Sequence, residues 1–398
     1  MDGGVRRSVS AKVCEQFKVR VLFVTGDLDQ GKGGPHFSLI GLANQLSQQL
    51  DITILGETRS AQSAVNWGFS QSIEVIPCVT PAPSAMHCTV QACLFFSRIL
   101  FGKTNFDVVV YQTPWLGNIF FLELVRLFKN LPTIVFPRGS FSHRALTQSA
   151  FKKKVFMALL PSVFRSKSTA FVALSSQEAK QTEMLTGSTN VYVIPNATVD
   201  LWMDSNRSAG RDTVFLYFGR ITAGKGIERL LDGWIDFVSE ASTDTNQHKL
   251  KFVGPVDAGV GEDLLEQINK CSDFNVEYGD EVSSKDKVNL LNSCDYFVLL
   301  SESEGQSMAM LEALSCGLPC IITDECNYDL LVEEGAGWCL SKNECLPDVL
   351  ADTPVSGSYR YQQKSKNARI LFENNHSWEL VAGKVLEVIT AVADGESF

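Results

Sequence analysis

Two glutamates with seven residues between them mark the segment whose residue types best suit chemistry. Glu304 directly follows an apolar run of strand length, and Glu312 lies about two helical turns further on. Gly305 permits a turn between strand and helix, and Ser307 is placed to cap that helix. Open α/β sheets bind ligands at the carboxyl ends of their strands, so both carboxylates would accept hydrogen bonds from hydroxyls of a sugar-like ligand. Amides at Gln306 and Ser307 would suit a phosphate; the competing interpretation is a solvated acidic turn.

A second candidate site is the loop 218–226, which follows a predicted strand and precedes a predicted helix. Arg220 and Lys225 stand there among three glycines. The planar fork of an arginine and the point charge of a lysine suit two adjacent phosphates. The alternative is a surface loop that carries two solvated cations.

A third glycine-rich loop, 26–34, follows the first predicted strand. Its first seven residues fit a P-loop, but the eighth position, which must be Ser or Thr to hold a metal, is Gly33. The loop also lacks the GxGxxG spacing of a dinucleotide site. A tight turn without a ligand is the alternative. No Asp-x-Asp is predicted at a strand end, so we expect no metal site.

Alternating apolar runs and amphipathic segments predict the elements that position these loops. Such alternation is typical of an α/β fold with parallel sheets, and strands without polar alternation indicate sheets covered on both faces. Predicted strands of the first half are 19–25, 52–55, 73–76, 108–111, 133–136, 170–174 and 191–194. Those of the second half are 214–218, 250–253, 275–278, 296–300, 319–323 and 337–340. The polar stretch 200–212 is predicted to be a linker, and 377–390 a closing amphipathic helix.

Charge and composition restrict the function further. The first 200 residues carry 19 Lys and Arg against 12 Asp and Glu, a net charge of +7, whereas the whole chain has a net charge of −10. The acidic total argues against duplex nucleic acid as a partner, and the basic first half suits phosphates or an anionic membrane surface. No run reaches the roughly 18 apolar residues of a membrane span.

The compartment is predicted from the cysteines and the N-terminal residues. Eleven scattered cysteines without zinc spacing indicate a reducing environment. The first residues lack the apolar core of a signal peptide. We therefore expect a cytoplasmic protein.

Taken together, the segments resemble the family-4 retaining glycosyltransferases. The resemblance covers nearly the whole chain in the same order. It is carried by Glu304 and Glu312 with their flanks 301–305 and 311–319, by Gly219-Arg220, Lys225-Gly226, Gly33-Gly34, and by the segments 193–196 and 175–178. It implies a GT-B fold, in which two Rossmann-like doubly wound domains face each other across a cleft. The acceptor domain would comprise residues 1–200 with a returning helix at 377–398, and the donor domain residues 201–376.

The resemblance also implies roles for individual residues. Arg220 and Lys225 would neutralise the donor diphosphate. Glu304 would contact the transferred sugar, and Glu312 the ribose. Gly34 would let the first loop approach the diphosphate. The remaining residues that would line the donor pocket are Gly305, Gln306 and Ser307.

Two segments depart from the family pattern. Many members have a His after the fifth strand of the first domain, whereas this sequence has Pro137-Arg138-Gly139. Arg138 is therefore the candidate at the reacting centre, with His143 as a weaker alternative. Gln306-Ser307 stands where the family often has Phe or Leu followed by Gly or Pro. We expect this difference to reshape the sugar pocket.

The predicted activity is retaining transfer of a hexose-type sugar from a nucleotide-diphosphate sugar to a sugar hydroxyl. The resemblance implies no metal and no cofactor besides the donor, and family frequency favours a UDP-sugar. The predicted acceptor is a glycan or a lipid-linked sugar in surface polysaccharide or glycolipid synthesis. Two alternatives are a nucleotide-sugar epimerase, for which His36 and Arg138 are the available acid–base candidates, and a sugar-nucleotide-binding subunit without turnover.

The acceptor side is predicted from one basic helix. Residues 151–167 combine apolar residues with Lys152–Lys154, Arg165 and Lys167. Such a helix would rest on an anionic bilayer where a lipid-linked acceptor is presented. An ordinary amphipathic helix with a solvated lysine face is the alternative.

Overall fold

The structure is a computed structural model of the chain. It describes residues 18–29, 34–59, 67–79, 90–115, 125–126, 128–147, 168–203, 212–240, 248–342 and 344–395. The basic segment 151–167, the centre of the predicted linker (204–211) and loop residues 30–33 lie outside the described residues.

The first half of the chain forms a parallel sheet. Among the described residues it has seven strands, in the order β3-β2-β1-β4-β5-β6-β7. They are β1 (Arg20–Asp27), β2 (Asp51–Thr58), β3 (Glu74–Val79), β4 (Val108–Tyr111), β5 (Thr133–Val135), β6 (Thr169–Ala173) and β7 (Val191–Val193). Each strand coincides with a predicted one. β1 and β2 continue past the predicted ends at 25 and 55, because polar residues extend their pairing.

Helices cover both faces of this sheet. They are α1 (Gly34–Leu46), α2 (Val90–Leu100), the short α3 (His143–Thr147) and α4 (Ser176–Thr186). One buried cluster joins α1 to one face of the sheet, and a second joins α2 to the other face. The apolar strands predicted for a sheet buried on both sides are therefore explained.

The second half forms another parallel sheet. Its described strands number six, in the order β10-β9-β8-β11-β12-β13. They are β8 (Thr213–Phe218), β9 (His248–Val253), β10 (Val276–Gly279), β11 (Tyr296–Leu299), β12 (Cys320–Thr323) and β13 (Gly337–Leu340). The associated helices are α5 (Ile227–Glu240), α6 (Val260–Lys270), α7 (Ser284–Ser293), α8 (Met308–Ser315), α9 (Leu330–Glu333), α10 (Leu346–Asp352) and α11 (Tyr359–Asn375).

The last helix, α12 (Trp378–Ala393), returns to the first domain, as predicted. Its buried face, which includes Val381, Val385 and Ile389, belongs to the same apolar cluster as α1 and β1. The chain therefore crosses between the domains twice. The two crossings touch through a parallel bridge between Thr198 and Ser377.

Candidate active site

The two domains border a common cleft at the carboxyl ends of their strands. The first domain lines it with Arg138, Gly139, Ser142 and Ala145. The second domain contributes residues 223–225 and 303–305, and the cleft encloses about 320 Å³. Loops at this edge are where open α/β sheets bind ligands. The structure thus brings three of the four predicted catalytic residues to one cleft.

The loop 219–226, here called the lysine loop, is held in a conformation that only glycine tolerates. Gly226 has φ of 69°, and a Cβ built there would lie 1.9 Å from the carbonyl oxygen of Leu300. The carbonyl of Gly224 accepts a hydrogen bond of 2.9 Å from the amide of Glu302. The lysine loop is therefore fastened directly to the segment that carries Glu304.

The segment 301–307, here called the donor turn, is fixed at both ends. The amide of Glu304 donates to the carbonyl of Glu325 at 3.0 Å, and its own carbonyl accepts from Asn327 Nδ2 at 2.8 Å. Ser307 caps α8, as predicted, because its hydroxyl accepts from the amide of Met310 at 3.3 Å. The backbone around Glu304 is thus set before any ligand binds.

Lys225 and Glu304 form an ion pair in the cleft. The ammonium of Lys225 donates to Glu304 Oε1, which also accepts from the hydroxyl of Ser301 at 2.8 Å. The Glu304 side chain is only 13% exposed, so this pair is partly shielded from water. The family resemblance implies that these two residues bind different parts of a donor. The structure places their side chains in direct contact with each other.

Arg220 is paired with an aspartate of its own domain. Its guanidinium lies 3.1 Å from the carboxylate of Asp257, and both side chains are about 40% exposed. Its backbone carbonyl accepts from the Tyr217 hydroxyl at 2.7 Å, which fixes the loop but leaves the side chain at the surface. Arg220 therefore already has an acidic partner within its own domain, and its role toward a diphosphate stays a prediction.

Glu312 is buried in the second domain and paired with Lys287. Its side chain is 12% exposed, and Lys287 Nζ lies 2.6 Å from its Oε1. Burial raises the pKa of Glu312, and the neighbouring Lys287 ammonium partly opposes that rise. Lys287 was not predicted from the sequence, because it belongs to α7 and lies 25 residues from Glu312 along the chain.

Arg138 lies in the turn after β5, with an unusual backbone φ of 50°. Its Nη1 donates to Ser38 Oγ at 2.9 Å and to Asn196 Oδ1 at 3.2 Å, and its Nη2 donates to Gln112 Oε1 at 2.7 Å. Burial lowers its pKa to about 10, so it stays a cation at neutral pH. Arg138 lines the cleft as predicted, but its donors point mainly at neutral oxygens of its own domain.

The carboxylate of Glu178 stabilises the turn that contains Arg138. One carboxylate oxygen accepts from the amide of Gly139, and the other accepts from the amide of Leu174 at 2.6 Å. The residue is 5% exposed, and burial raises its pKa against the opposing effect of these hydrogen bonds and of Arg138. The segment 175–178 carries part of the family resemblance, which implies no role for Glu178. Its distance along the chain from Gly139 explains the omission.

The side chain of Gln306 contacts the first domain. Its Oε1 accepts a hydrogen bond of 2.6 Å from the backbone amide of Asn196 in the first domain, and the residue is 7% exposed. Beside it the backbones of Gly139 and Gly305 touch, since a Cβ on Gly139 would lie 3.1 Å from Gly305 Cα. Gly34, at the start of α1, lies against Met308. The polar side chain of Gln306 therefore fastens the domains together.

His376 lies at the second crossing and was not singled out in the sequence. It is fully buried, its Nδ1 is 2.8 Å from the carbonyl oxygen of Asn196, and its Nε2 contacts the hydroxyl of Tyr328. Desolvation lowers its pKa to about 4. A carbonyl oxygen can only accept, so Nδ1 carries the proton and Nε2 accepts from Tyr328.

One sequence-based statement about metals needs correction. β1 extends to Asp27, so the Asp-x-Asp pattern of Asp27 and Asp29 does lie at a strand end. Both oxygens of Asp29 are engaged, accepting from the hydroxyl of Thr58 at 2.6 Å and from the amide of Arg59 at 2.9 Å. Within the described ranges, no group of three or more His, Cys, Asp or Glu side chains is placed to hold a metal ion.

Two further features concern membranes and thiols. No helix in the described part of the chain is both long and apolar enough to cross a bilayer. Among the described cysteines, Cys271, Cys320, Cys326, Cys339 and Cys345 are free thiols.

Comparison with known proteins shows that the chain is similar to glycosyltransferases. Residues 199–353 match the family described as glycosyl transferases group 1. A curated relative, the GDP-mannose:cellobiosyl-diphosphopolyprenol alpha-mannosyltransferase of Xanthomonas campestris, is 24% identical over 283 residues, which are 68% of this chain and 71% of the relative.

Solved structures share the fold at low sequence identity. HepE of Anabaena, in complex with UDP and glucose, is 16% identical with a TM-score of 0.70, covering 94% of this chain and 100% of that chain. WaaG, a glycosyltransferase involved in lipopolysaccharide biosynthesis, is 16% identical with a TM-score of 0.68 over 93% and 99% of the two chains. The sucrose-phosphate synthase of Thermosynechococcus elongatus has a TM-score of 0.74 at 14% identity, over 95% and 100%. The predicted GT-B fold is confirmed.

Proposed function

We propose that this chain, a glycosyltransferase whose second domain matches the group 1 family, transfers a hexose-type sugar with retention from a nucleotide-diphosphate sugar to a hydroxyl group. The observation that supports this proposal is the Lys225–Glu304 pair, which faces the Arg138 turn across the cleft. A cation and a carboxylate on one ligand-binding edge suit a donor that has an anionic leaving group and a hydroxyl-rich sugar.

The donor's leaving group is a nucleoside diphosphate, whose departure requires neutralisation of negative charge. Lys225 supplies one cation, and the backbone amides at the start of α8 supply partial positive charge. The amides are fixed by the helix, whereas Lys225 reaches the diphosphate by turning away from Glu304. Arg220 joins them by exchanging Asp257 for phosphate oxygens.

Glu304 would bind the transferred sugar while Lys225 turns to the diphosphate. Its Oε1 is shared with Ser301, so the carboxylate keeps a partner when the ammonium leaves. A carboxylate near the sugar stabilises the positive character that grows at the reacting carbon. In this proposal the acceptor attacks on the face from which the diphosphate departs, and a phosphate oxygen takes the acceptor's proton. No carboxylate acts as nucleophile, and no metal is required.

The identity of the donor is proposed from the relatives. The HepE structures contain UDP or UDP-glucose, whereas the Xanthomonas enzyme is named for GDP-mannose and a diphosphopolyprenol-linked acceptor. We propose a UDP- or GDP-hexose as donor and a glycan or lipid-linked sugar as acceptor. Synthesis of a surface polysaccharide or glycolipid on the cytoplasmic side of a membrane would supply such an acceptor.

The first experiment is a thermal-shift panel with UDP, GDP and ADP. A nucleotide at 100 times its dissociation constant stabilises a protein by roughly 2.7 kcal/mol, so the preferred base is identified directly. The corresponding sugar donors are then incubated with and without glycan acceptors, and the products are separated. Transferred sugar supports the proposal. Epimerised donor without acceptor indicates the epimerase, and binding without any product indicates a non-catalytic subunit.

A further inference from the structure

Asn196 joins three parts of the molecule at the first chain crossing. Its backbone amide donates to Gln306 Oε1 at 2.6 Å, and its backbone carbonyl accepts from His376 at 2.8 Å. Its side-chain oxygen accepts from Arg138 at 3.2 Å and from Ser38 at 3.0 Å. Asn196 is only 8% exposed, so these bonds are shielded from competing water.

The hydrogen bond from the Asn196 amide to Gln306 Oε1 links the first chain crossing to the donor turn. Gln306 is adjacent to Gly305, which packs closely against Gly139: a Cβ on Gly139 would lie 3.1 Å from Gly305 Cα, and one on Gly305 would lie 3.2 Å from the Gly139 nitrogen. Loss of the Gln306 acceptor would leave a buried amide without a partner in this tightly packed region. The donor turn would relieve that cost by moving away from the first domain.

We infer that Gln306 is a positioning residue, which fastens the donor turn to Asn196 and thereby sets Glu304 and Lys225 at a fixed distance from Arg138. The catalytic consequence of this inference rests on the proposed glycosyl transfer. The Gln306 side chain bonds to Asn196, and the residue is not among the described residues that line the cleft. Its effect is to keep the reacting carbon of the donor at a fixed distance from the first-domain side of the cleft, where the acceptor would bind.

This role predicts a separation between donor binding and turnover. Lys225 and Glu304 belong to the second domain and stay paired when Gln306 loses its partner, so donor KM should change little. The relation of both residues to the first domain is lost, so kcat should fall. Gln306→Met keeps the length of the side chain and removes the acceptor. We expect kcat to fall about tenfold, the effect of leaving one buried polar group unpaired.

The direct test is hydrogen–deuterium exchange of the Asn196 amide at single-residue resolution. In Gln306→Met this amide should exchange at least about tenfold faster than in the wild type. Two nearby amides serve as internal references, because Ile194 donates to Ala173 at 2.8 Å and Thr198 donates to His376 at 3.1 Å, independently of Gln306. Their exchange should be unchanged.

Two further variants complete the experiment. Gln306→Glu restores an oxygen acceptor of the same reach and should restore protection of the Asn196 amide. Gln362→Met makes the same chemical change at an exposed position of α11, where the glutamine bonds only locally to Gly357, and should alter neither exchange nor kcat.

Three results would overturn the inference. They are equal Asn196 exchange in wild type and Gln306→Met, faster exchange with unchanged kcat, and an equal effect of Gln362→Met. Absence of transfer by the wild type with every donor would instead refute the proposed function. The exchange data would still decide whether Gln306 fastens the domains.

Discussion

His376 makes the stability of this protein depend on pH, and His376→Gln should remove that dependence. The imidazole is fully buried between Asn196 and Tyr328, at the point where the chain returns to the first domain. Its neutral form satisfies both partners, with Nδ1 donating and Nε2 accepting. A second proton would have to enter between Nε2 and the Tyr328 hydroxyl at a fully buried site.

The magnitude follows from the pKa in the two states. Desolvation is the largest cause of the low folded pKa of about 4, and the charge of Lys384 lowers it further, whereas the ordinary value is 6.5. As pH falls through 6.5, His376 binds a proton in the unfolded chain, whereas in the folded protein it binds that proton only near pH 4. The free energy of unfolding therefore decreases across this window. With each pKa unit worth 1.36 kcal/mol, the total is about 3 kcal/mol.

The assay is urea-induced unfolding of wild type and His376→Gln between pH 7 and pH 4. The glutamine amide can still donate to the Asn196 carbonyl but does not titrate. Glu178 and Glu312, whose pKa values burial raises, contribute with the opposite sign, losing stability as pH rises through their folded values. They are common to both proteins and cancel when the two stability curves are subtracted.

The difference in free energy of unfolding between the two proteins should be constant near pH 7. By pH 4 it should have shifted by about 3 kcal/mol in favour of the variant. Parallel curves over the whole range would show that His376 titrates normally, and the assigned burial and tautomer would then be wrong.

The remaining predictions concern the cleft and the membrane. Glu304→Gln should lower kcat strongly with little change in donor affinity. Glu312→Gln should mainly raise donor KM and weaken binding of the free nucleotide. The reverse pattern in kcat, KM and nucleotide Kd would exchange the roles of the two residues. Lys225→Ala and Arg220→Ala should each lower donor kcat/KM at least about tenfold, or about 1.4 kcal/mol, and unchanged kinetics in both would refute the diphosphate assignment. Replacing residues 152–154 with Gln should reduce salt-sensitive sedimentation with anionic vesicles without changing turnover on a soluble acceptor; equal sedimentation would leave an ordinary solvated helix.

The strands were predictable because a sheet covered on both faces requires uninterrupted apolar residues. The same rule explains the errors at strand ends. β2 continues through Glu57 and Thr58, which are buried although polar, and an apolar run gives no signal for such residues. The position of Glu304 after β11 and the cap at Ser307 were also predictable, since both depend on local sequence.

The contacts between loops were not predictable, because they depend on residues far apart in the chain. Lys225 and Glu304 are 79 positions apart, and Gln306 and Asn196 are 110 positions apart. A motif shows that each residue belongs to a ligand-binding edge but not which groups neutralise each other before the ligand arrives. Arg220 is a further example, because no residue near it in the sequence indicates that it pairs with Asp257.

The return of α12 to the first domain has a consequence for biosynthesis. Its side chains Val381, Val385 and Ile389 complete an apolar cluster with β1 and α1, so the half of the protein that is translated first is finished last. At about 5–20 residues per second, the sheet would wait roughly 10–40 s on the ribosome for its final cover. The second domain, whose apolar cluster ends at Phe372, can close during that interval. A nascent chain interrupted between Phe372 and Trp378 would therefore carry a finished second domain behind a sheet that lacks part of its cover, a species that chaperones would have to shield.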